Sequence, residues 1–276
     1  MSDYDPAAYK QFERAAFNAV ASTYELWEET ARPFREALIE RAGIAVGQTT
    51  LDVACASGGL VLTAASIVGP EGKAVGVDIS DGMVATARRR AARRGVLNTE
   101  FKQMDAEHLE FGDACFDAVT AGLAMLHFPN PRQAAAEMLR VLKPGGRVAL
   151  STWDAGSYHA LISHYGAEIS RQAPPPGPTN SAFVGQGKFP AWLSHQGFND
   201  VGQESVEATF EFRDVNDYME QMMGFPGRSM AHFRSLPMEV QEEALIRTFD
   251  RLEKDFQVDG GYRVPLRNIV AWGRKP

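Results

Sequence analysis

Cysteine is scarce: Cys55 and Cys115 are the only two in 276 residues, which excludes a disulfide framework and leaves each to be read as a small core residue in or near a strand. No apolar run reaches the length of a membrane-spanning helix. The N-terminus, MSDYDPAAYKQFERAAF, is charged and amphipathic rather than leader-like, so a soluble, cytoplasmic protein with no membrane contact is expected. The six histidines show no zinc-like spacing with cysteine or with each other. His159 and His164 lie five apart, which puts them on different helical faces, and no metal is expected. Positive charge is also short. A net charge of −7 and a pI near 5.5 argue against a nucleic-acid partner. The one basic run, RRRAARR (88–94), sets arginines four apart on a probable helix and reads as a solvated face.

What is present is a chain with 45% hydrophobic residues, enough for one large domain or a domain carrying a cap. Residues 6–43 read as helical with a break near Arg32-Pro33. Phe12, Ala16, Val20 and Tyr24 recur at helical spacing, so one face is packed. Strands and helices then alternate: strand 49–55, helix 58–68, strand 73–78, helix 81–94, strand 99–104, a turn region 105–114, strand 116–121, helix 131–142 and strand 147–153. Gly69-Pro70, Gly95 and Pro144-Gly145-Gly146 supply the stops. Short connections between alternating elements predict a doubly wound, mostly parallel α/β sheet. After Trp153 a helix is expected over 156–171, then the stiff PPPGP (174–178), a short helix at 190–198, and a strand over 200–213. Helix resumes over 214–257, broken at 224–227, with Leu245, Phe249, Leu252 and Phe256 as an apolar stripe. Residues 262–276 read as a final strand that can close the sheet edge.

The first strand runs into a turn of small residues, LDVACASGG (51–59), and the second, KAVGVD (73–78), ends in a carboxylate. Small residues let a backbone approach a ligand closely, and a helix start offers free N–H groups. An acid about 20 residues beyond such a turn can accept hydrogen bonds from a ribose diol. The turn lacks the glycines of G-x-G-x-x-G, since Ala54 and Ala56 stand at small positions. It also lacks a basic residue for a phosphate. An adenosyl sulfonium therefore fits better than a dinucleotide.

Four segments in order carry a family. LDVACASGG, VGVDISDGMVATAR (75–88), FKQMDAEHLEF (101–111) and FDAVTAGLAMLHFPNPRQAAAEMLRVLKPGGRVALSTW (116–153) resemble the class I S-adenosylmethionine-dependent methyltransferases. The likeness is to the small-molecule group related to the ubiquinone/menaquinone C-methyltransferases, and it covers roughly residues 15–155. It implies a seven-stranded Rossmann-like methyltransferase fold with helical cap insertions. The division expected is an N-terminal helical cover (1–45), a cofactor-binding core (46–153), a helical cap (154–198 and 214–260) and closing strands (199–213 and 261–276). The cofactor implied is S-adenosyl-L-methionine. Asp52, Ala54, Ala56, Ser57 and Gly58 would hold its methionine part, and Asp78 the ribose. Ile79 and Met83 would lie against adenine, Asp105 and Ala106 at its edge, and Tyr24 over the cofactor. Alanine replaces glycine at 54 and 56, so the turn is expected to stand slightly further from the cofactor. A positive φ at Ala56 would instead cost about 1 kcal/mol.

The resemblance implies methyl transfer to a small, largely apolar acceptor, aromatic or polyketide-like. His127, at the C-terminal end of the fourth strand, is the candidate general base. Trp153, Tyr158, His159, Met222 and Met223 are candidate pocket residues, within a Met/Phe-rich stretch running to Met238. The segment after the fourth strand is not Asn/Asp-Pro-Pro-Tyr, which lowers the case for base or amide nitrogens as acceptors. Two other readings stay open: a methyltransferase-fold cyclase or binding scaffold, and an NAD-dependent oxidoreductase. The oligomeric state is not read from the sequence.

Overall fold

The structure is a computed structural model that describes residues 5–154, 188–222, 233 and 235–276, with the side chains of 222 and 251 outside that set. Three helices come first: α1 (Pro6–Val20), α2 (Glu25–Thr30) and α3 (Arg32–Ala42). The alternating segment follows as β1 (Thr49–Val53), α4 (Gly59–Val68), β2 (Lys73–Asp78), α5 (Asp81–Arg93), β3 (Thr99–Gln103), β4 (Phe116–Ala121), a 3-10 turn (Met125–His127), α6 (Pro131–Val141) and β5 (Leu142–Trp153). Then come α7 (Phe189–His195), β6 (Asn199–Phe212), α8 (Val215–Met222), α9 (Met238–Phe256), the two-residue β7 (Gln257–Val258) and β8 (Gly261–Arg274). The helix expected over 156–171, the PPPGP segment and the break at 224–227 lie outside the described residues.

Local chemistry sets most of these boundaries. Ser80 accepts from Met83 N–H at 3.0 Å and caps α5, and Asn130 accepts from Gln133 N–H at 3.2 Å to cap α6, whose first residue is Pro131. Helix α4 is apolar on nearly every side and is correspondingly buried.

The sheet order is β3-β2-β1-β4-β5-β8-β6, with β7 as a hairpin on β8. The first five strands are parallel, and β8 is antiparallel to both β5 and β6. The last strand therefore sits inside the sheet, between β5 and β6, and the edge falls to β6. That departs from the expected edge position of residues 262–276. Chain order alone does not say which of two late strands enters the gap first.

One face of the sheet packs on α6 and α7 through Leu51, Val53, Val119, Met138 and Leu193. The other packs on α3, α4 and α5 through Leu38, Val61, Ala65 and Ala87. Chain order runs outward from β1 to β3 in one direction and from β4 to β5 in the other. The switch point, where open α/β sheets bind ligands, thus lies between β1 and β4. A third cluster joins Trp27, Phe34, Trp153, Phe210, Phe212, Tyr218, Phe233 and Leu252. The stripe expected on α9 is seen there, with Leu252 buried and Leu245, Phe249 and Phe256 packed against it. Cys55 is buried as expected, whereas Cys115 is exposed in the turn before β4.

The basic run is not a solvated face at its centre. Arg90 is buried, and its Nη1 and Nη2 each donate to Glu28 of α2 at 2.6 Å. Nη1 also donates to the Ser57 carbonyl at 2.8 Å, and Nε lies 2.8 Å from Glu25. Its partners lie more than 30 residues away in the chain, beyond the reach of an i,i+4 argument. Removing one partner of a buried pair leaves the other charge uncompensated, at about 3–5 kcal/mol. Arg90→Ala is expected to lower unfolding stability by about 3 kcal/mol or more, and Arg94→Ala, an exposed neighbour, by no more than about 0.5 kcal/mol. Urea midpoints of the two variants check this, and equal midpoints would refute it.

Candidate active site

The turn after β1 is held in a strained shape. Ala54 and Ala56 have φ of 58° and 48°, and Gly58, at the cap of α4, has 84°. The expected relaxed turn is thus corrected: both alanines occupy left-handed backbone, at about 1–2 kcal/mol each. What holds them is visible. Ala56 N–H donates to Asp78 Oδ2 at 2.9 Å, and Cys55 N–H to the Val77 carbonyl at 2.9 Å, so β2 pins the turn. Below it, Ser57 Oγ bonds Glu28, whose carboxylate lies against the start of α4. A Cβ on Gly59 would meet Glu28 Oε2 at 2.6 Å, so a larger residue there would push this acid from its place.

Asp52 and Asp78 stand at this point, both buried. Asp52 accepts from Thr120 Oγ1 at 2.7 Å, across the switch point from β1 to β4. Burial pushes its carboxyl up to about 7, reinforced by the nearby charges of Asp78 and Glu28. Asp78 accepts from Ser80 N–H at 2.8 Å and Ala56 N–H at 2.9 Å. Burial still pushes it up to about 6 against those two bonds. The Tyr24 hydroxyl is driven well above the ordinary phenol range by burial and by Glu28, Asp78 and Asp52. Met83 is fully buried in a small cluster with Val20, Ala21, Phe17, Tyr24 and Ala56. Ile79 is half-buried beside it in sequence.

Helix α1 lies across the strand ends. Lys10 Nζ donates to Asp105 Oδ2 at 2.7 Å and Glu107 Oε2 at 2.6 Å, beyond β3. Arg14 reaches Asp81 at 2.8 Å, and Asn18 Oδ1 accepts from Gly82 N–H at 3.0 Å, beyond β2. Glu13 lies 3.1 Å from His127 Nδ1, beyond β4. Of the face expected on this helix, Ala16 and Val20 are buried and Phe12 and Tyr24 half-buried. The buried set also includes Tyr9 and Glu13, which periodicity of apolar residues misses. A carboxylate in that stripe is the signal that could have found Glu13.

Each remaining expected residue has a place. Asp105 faces α1, with Oδ1 taken by Glu107 N–H at 2.9 Å; Ala106 is buried next to it. The Ser57 hydroxyl is committed to Glu28 and Arg90. Trp153 is buried, 5.8 Å from Trp27 and 6.2 Å from Phe34 between ring centroids. Tyr158, His159, Met223 and the Met222 side chain lie outside the described residues. Met238 is exposed at the start of α9, so the expected apolar wall does not extend to it. Leu123, not expected, has φ 53° at the end of β4, with its N–H on Ser151 Oγ at 3.0 Å. Its side chain joins Leu126, Tyr24 and Met219 on the aromatic cluster. Among the described residues no cluster of three or more His, Cys, Asp or Glu is placed to hold a metal, and no helix is long and apolar enough to cross a membrane.

Fold and turn together define an α/β nucleoside-cofactor protein with its site at the switch point. A family model for a methyltransferase domain matches residues 44–181, half of the chain, and the chain belongs to that family. It is 40% identical over 138 residues to the ubiquinone/menaquinone biosynthesis C-methyltransferase UbiE of Ectopseudomonas mendocina (strain ymp), covering 48% of this chain and 54% of that one. The chain thus spans about half the length of the curated relatives it matches. In fold it is similar to the YcgJ protein of Bacillus subtilis, at TM-score 0.57 and 23% identity over 87% of this chain and 97% of that one. It is also similar to the cyclase SpnF, at TM-score 0.57 and 23% identity over 91% and 82%. The Rossmann-like methyltransferase fold implied by the motifs is the fold of the chain.

Two outcomes follow from the geometry. Ala56→Gly relieves about 1–2 kcal/mol of backbone strain and adds about 0.4–1 kcal/mol of unfolded-state entropy. The expected result is equal or higher thermal stability with cofactor affinity intact; a lower melting temperature would refute the strain. For Asp52 and Asp78 the folded-state values lie above 3.8, so their contribution is fully present below that pH and fades as pH rises through about 6 and then about 7. The ligand-free protein is expected to gain stability from these groups as pH falls from about 8 to about 5. Asp52→Asn should flatten that slope in pH-dependent melts, and an unchanged slope would refute the assignment.

Proposed function

We propose that the chain is an S-adenosylmethionine-dependent methyltransferase acting on a small, largely apolar acceptor. The observation that carries the cofactor is the pair of buried acids at the switch point. Each lies above its ordinary value because burial leaves it short of donors. An ammonium beside Asp52 and a ribose diol beside Asp78 are the donors such a pair lacks. The residues present fit the group. Asp52 and the Ala54–Gly58 turn would hold the methionine part, Asp78 the ribose hydroxyls, Ile79 and Met83 the adenine faces, and Asp105 and Ala106 its edge. The cofactor, when bound, supplies an electrophilic methyl group.

The chain's own work is alignment and exclusion of water. Tyr24 and α1 cover the strand ends. Half-buried Leu123, Leu126 and Met219 make the neighbouring surface apolar, which supports an aromatic or polyketide-like acceptor over a charged one. Leu123 sits there at an unfavourable φ, a strain tolerated where a side chain must face a ligand. His127 is the general base for an acceptor bearing an O–H or N–H. Relatives named for ubiquinone and menaquinone biosynthesis make quinols a sensible first acceptor class.

Formation of S-adenosylhomocysteine with a panel of quinols and phenols, followed by mass spectrometry, tests the activity. Cofactor binding without turnover on any acceptor would favour a cyclase or scaffold. Asp78→Ala is expected to weaken S-adenosylmethionine binding more than about tenfold, since bonds to a charged acceptor contribute about 1.5–3 kcal/mol. Unchanged affinity by calorimetry would remove the ribose assignment.

A further inference from the structure

We infer that Glu13 is a positioning residue that fixes His127 with its proton on Nδ1 and its Nε2 free to accept one. The inference rests on the methyltransferase reading, and concerns which atom takes the acceptor's proton. Glu13 lies on the buried stripe of α1 with Tyr9, Ala16 and Val20, and its Oε2 is 3.1 Å from His127 Nδ1. With Glu13 ionised, as the inference requires, its carboxylate can only accept and Nδ1 donates. A neutral imidazole with Nδ1–H has its lone pair on Nε2. Phe17, one turn further along α1, meets the His127 ring edge-on at 5.2 Å and 82°. Bond and ring contact together fix the plane of the imidazole.

The placement gives this pair chemical meaning. His127 ends the short turn after β4, on one side of the switch point. Glu13 comes from a separate helix, which the Lys10, Arg14 and Asn18 contacts clasp to the ends of β2 and β3. The pair is therefore complete only with α1 seated. In transfer to an acceptor X–H, the X–H bond breaks and its electron pair forms the new bond to the methyl carbon. The methyl–sulfur bond breaks with its pair left on sulfur. The proton goes to His127 Nε2, and the imidazolium charge is held by Glu13.

The test needs no acceptor. Nitrogen-15 spectra of the histidine rings, taken on the whole protein with and without S-adenosylhomocysteine, report the tautomer. His127 is expected as a single Nδ1–H form, shifting towards Nε2–H in Glu13→Leu and held in Glu13→Asp. Leu is chosen because it is close to Glu in volume and cannot accept from Nδ1. Carbethoxylation of His127, followed by mass spectrometry, should be about fivefold or more slower in Glu13→Leu than in the wild type. An Nε2–H tautomer in the wild type would overturn the inference, and that measurement stands even where a variant fails to fold. An unchanged tautomer in Glu13→Leu would overturn it too. Calorimetry with S-adenosylmethionine on the same samples separates the two readings: lost cofactor binding in the wild type removes the methyltransferase reading and leaves the tautomer result intact.

Discussion

Burial of negative charge at the switch point is the constraint on which the structure depends. Glu28, Asp52 and Asp78 converge within reach of one turn, and Asp78 and Glu28 both raise Asp52. Three carboxylates cannot share a low-dielectric site without compensation. Glu28 has its compensation in the chain, from Arg90 and Ser57. Asp52 has one hydroxyl and Asp78 two backbone N–H groups, and these fall short, so both acids are pushed towards the neutral form. The protein spends a buried arginine on one acid and leaves two for a ligand with donors and positive charge. A basic residue in the turn would compete with Arg90 for the same acids, and none stands there.

The same constraint shapes the cover. Helices α1 and α2 do not pack on the sheet as apolar slabs alone. They reach it through Lys10, Glu13, Arg14, Asn18 and Glu28, with Tyr9, Trp27 and Val20 buried beside them. The outer contacts, such as Arg14 with Asp81, are exposed and individually weak. Arg90 with Glu28 is buried and strong. The cover is thus anchored at both ends, by Arg90 with Glu28 near the turn and by Lys10 with Asp105 and Glu107 towards the start of α1.

The core was legible because its signals are local. Apolar runs, Ser80, Asn130, Pro131 and the glycine stops act within a few residues, and the expected spans match the observed ones closely. The acids at the strand ends were legible for the same reason, since a strand that ends in a buried aspartate shows it in the sequence. What escaped was non-local. Arg90 read as solvated because its acids come from α2. The pairing of Glu13 with His127 joins residues 114 apart. Positive φ at Ala54 escaped, and at Ala56 it ranked second to a relaxed turn, because alanine disfavours left-handed backbone. The place of β8 inside the sheet depends on a competition between two strands that chain order cannot rank.

The two alanines show why the departures from a family pattern can be informative. Glycine at both positions would let the turn relax, and alanine keeps the same backbone at a cost. That cost is met by Ala56 N–H on Asp78 and Cys55 N–H on Val77, and the first of these bonds also fixes the Asp78 carboxylate. The methyl groups narrow the space above the turn, where Ala56 packs with Met83, Phe17 and Tyr24. A turn built this way is stiffer than its glycine counterpart. Stiffness has a use where the protein's contribution is to hold a reactive methyl in line with an acceptor, because misalignment loses more rate than a strained backbone loses stability.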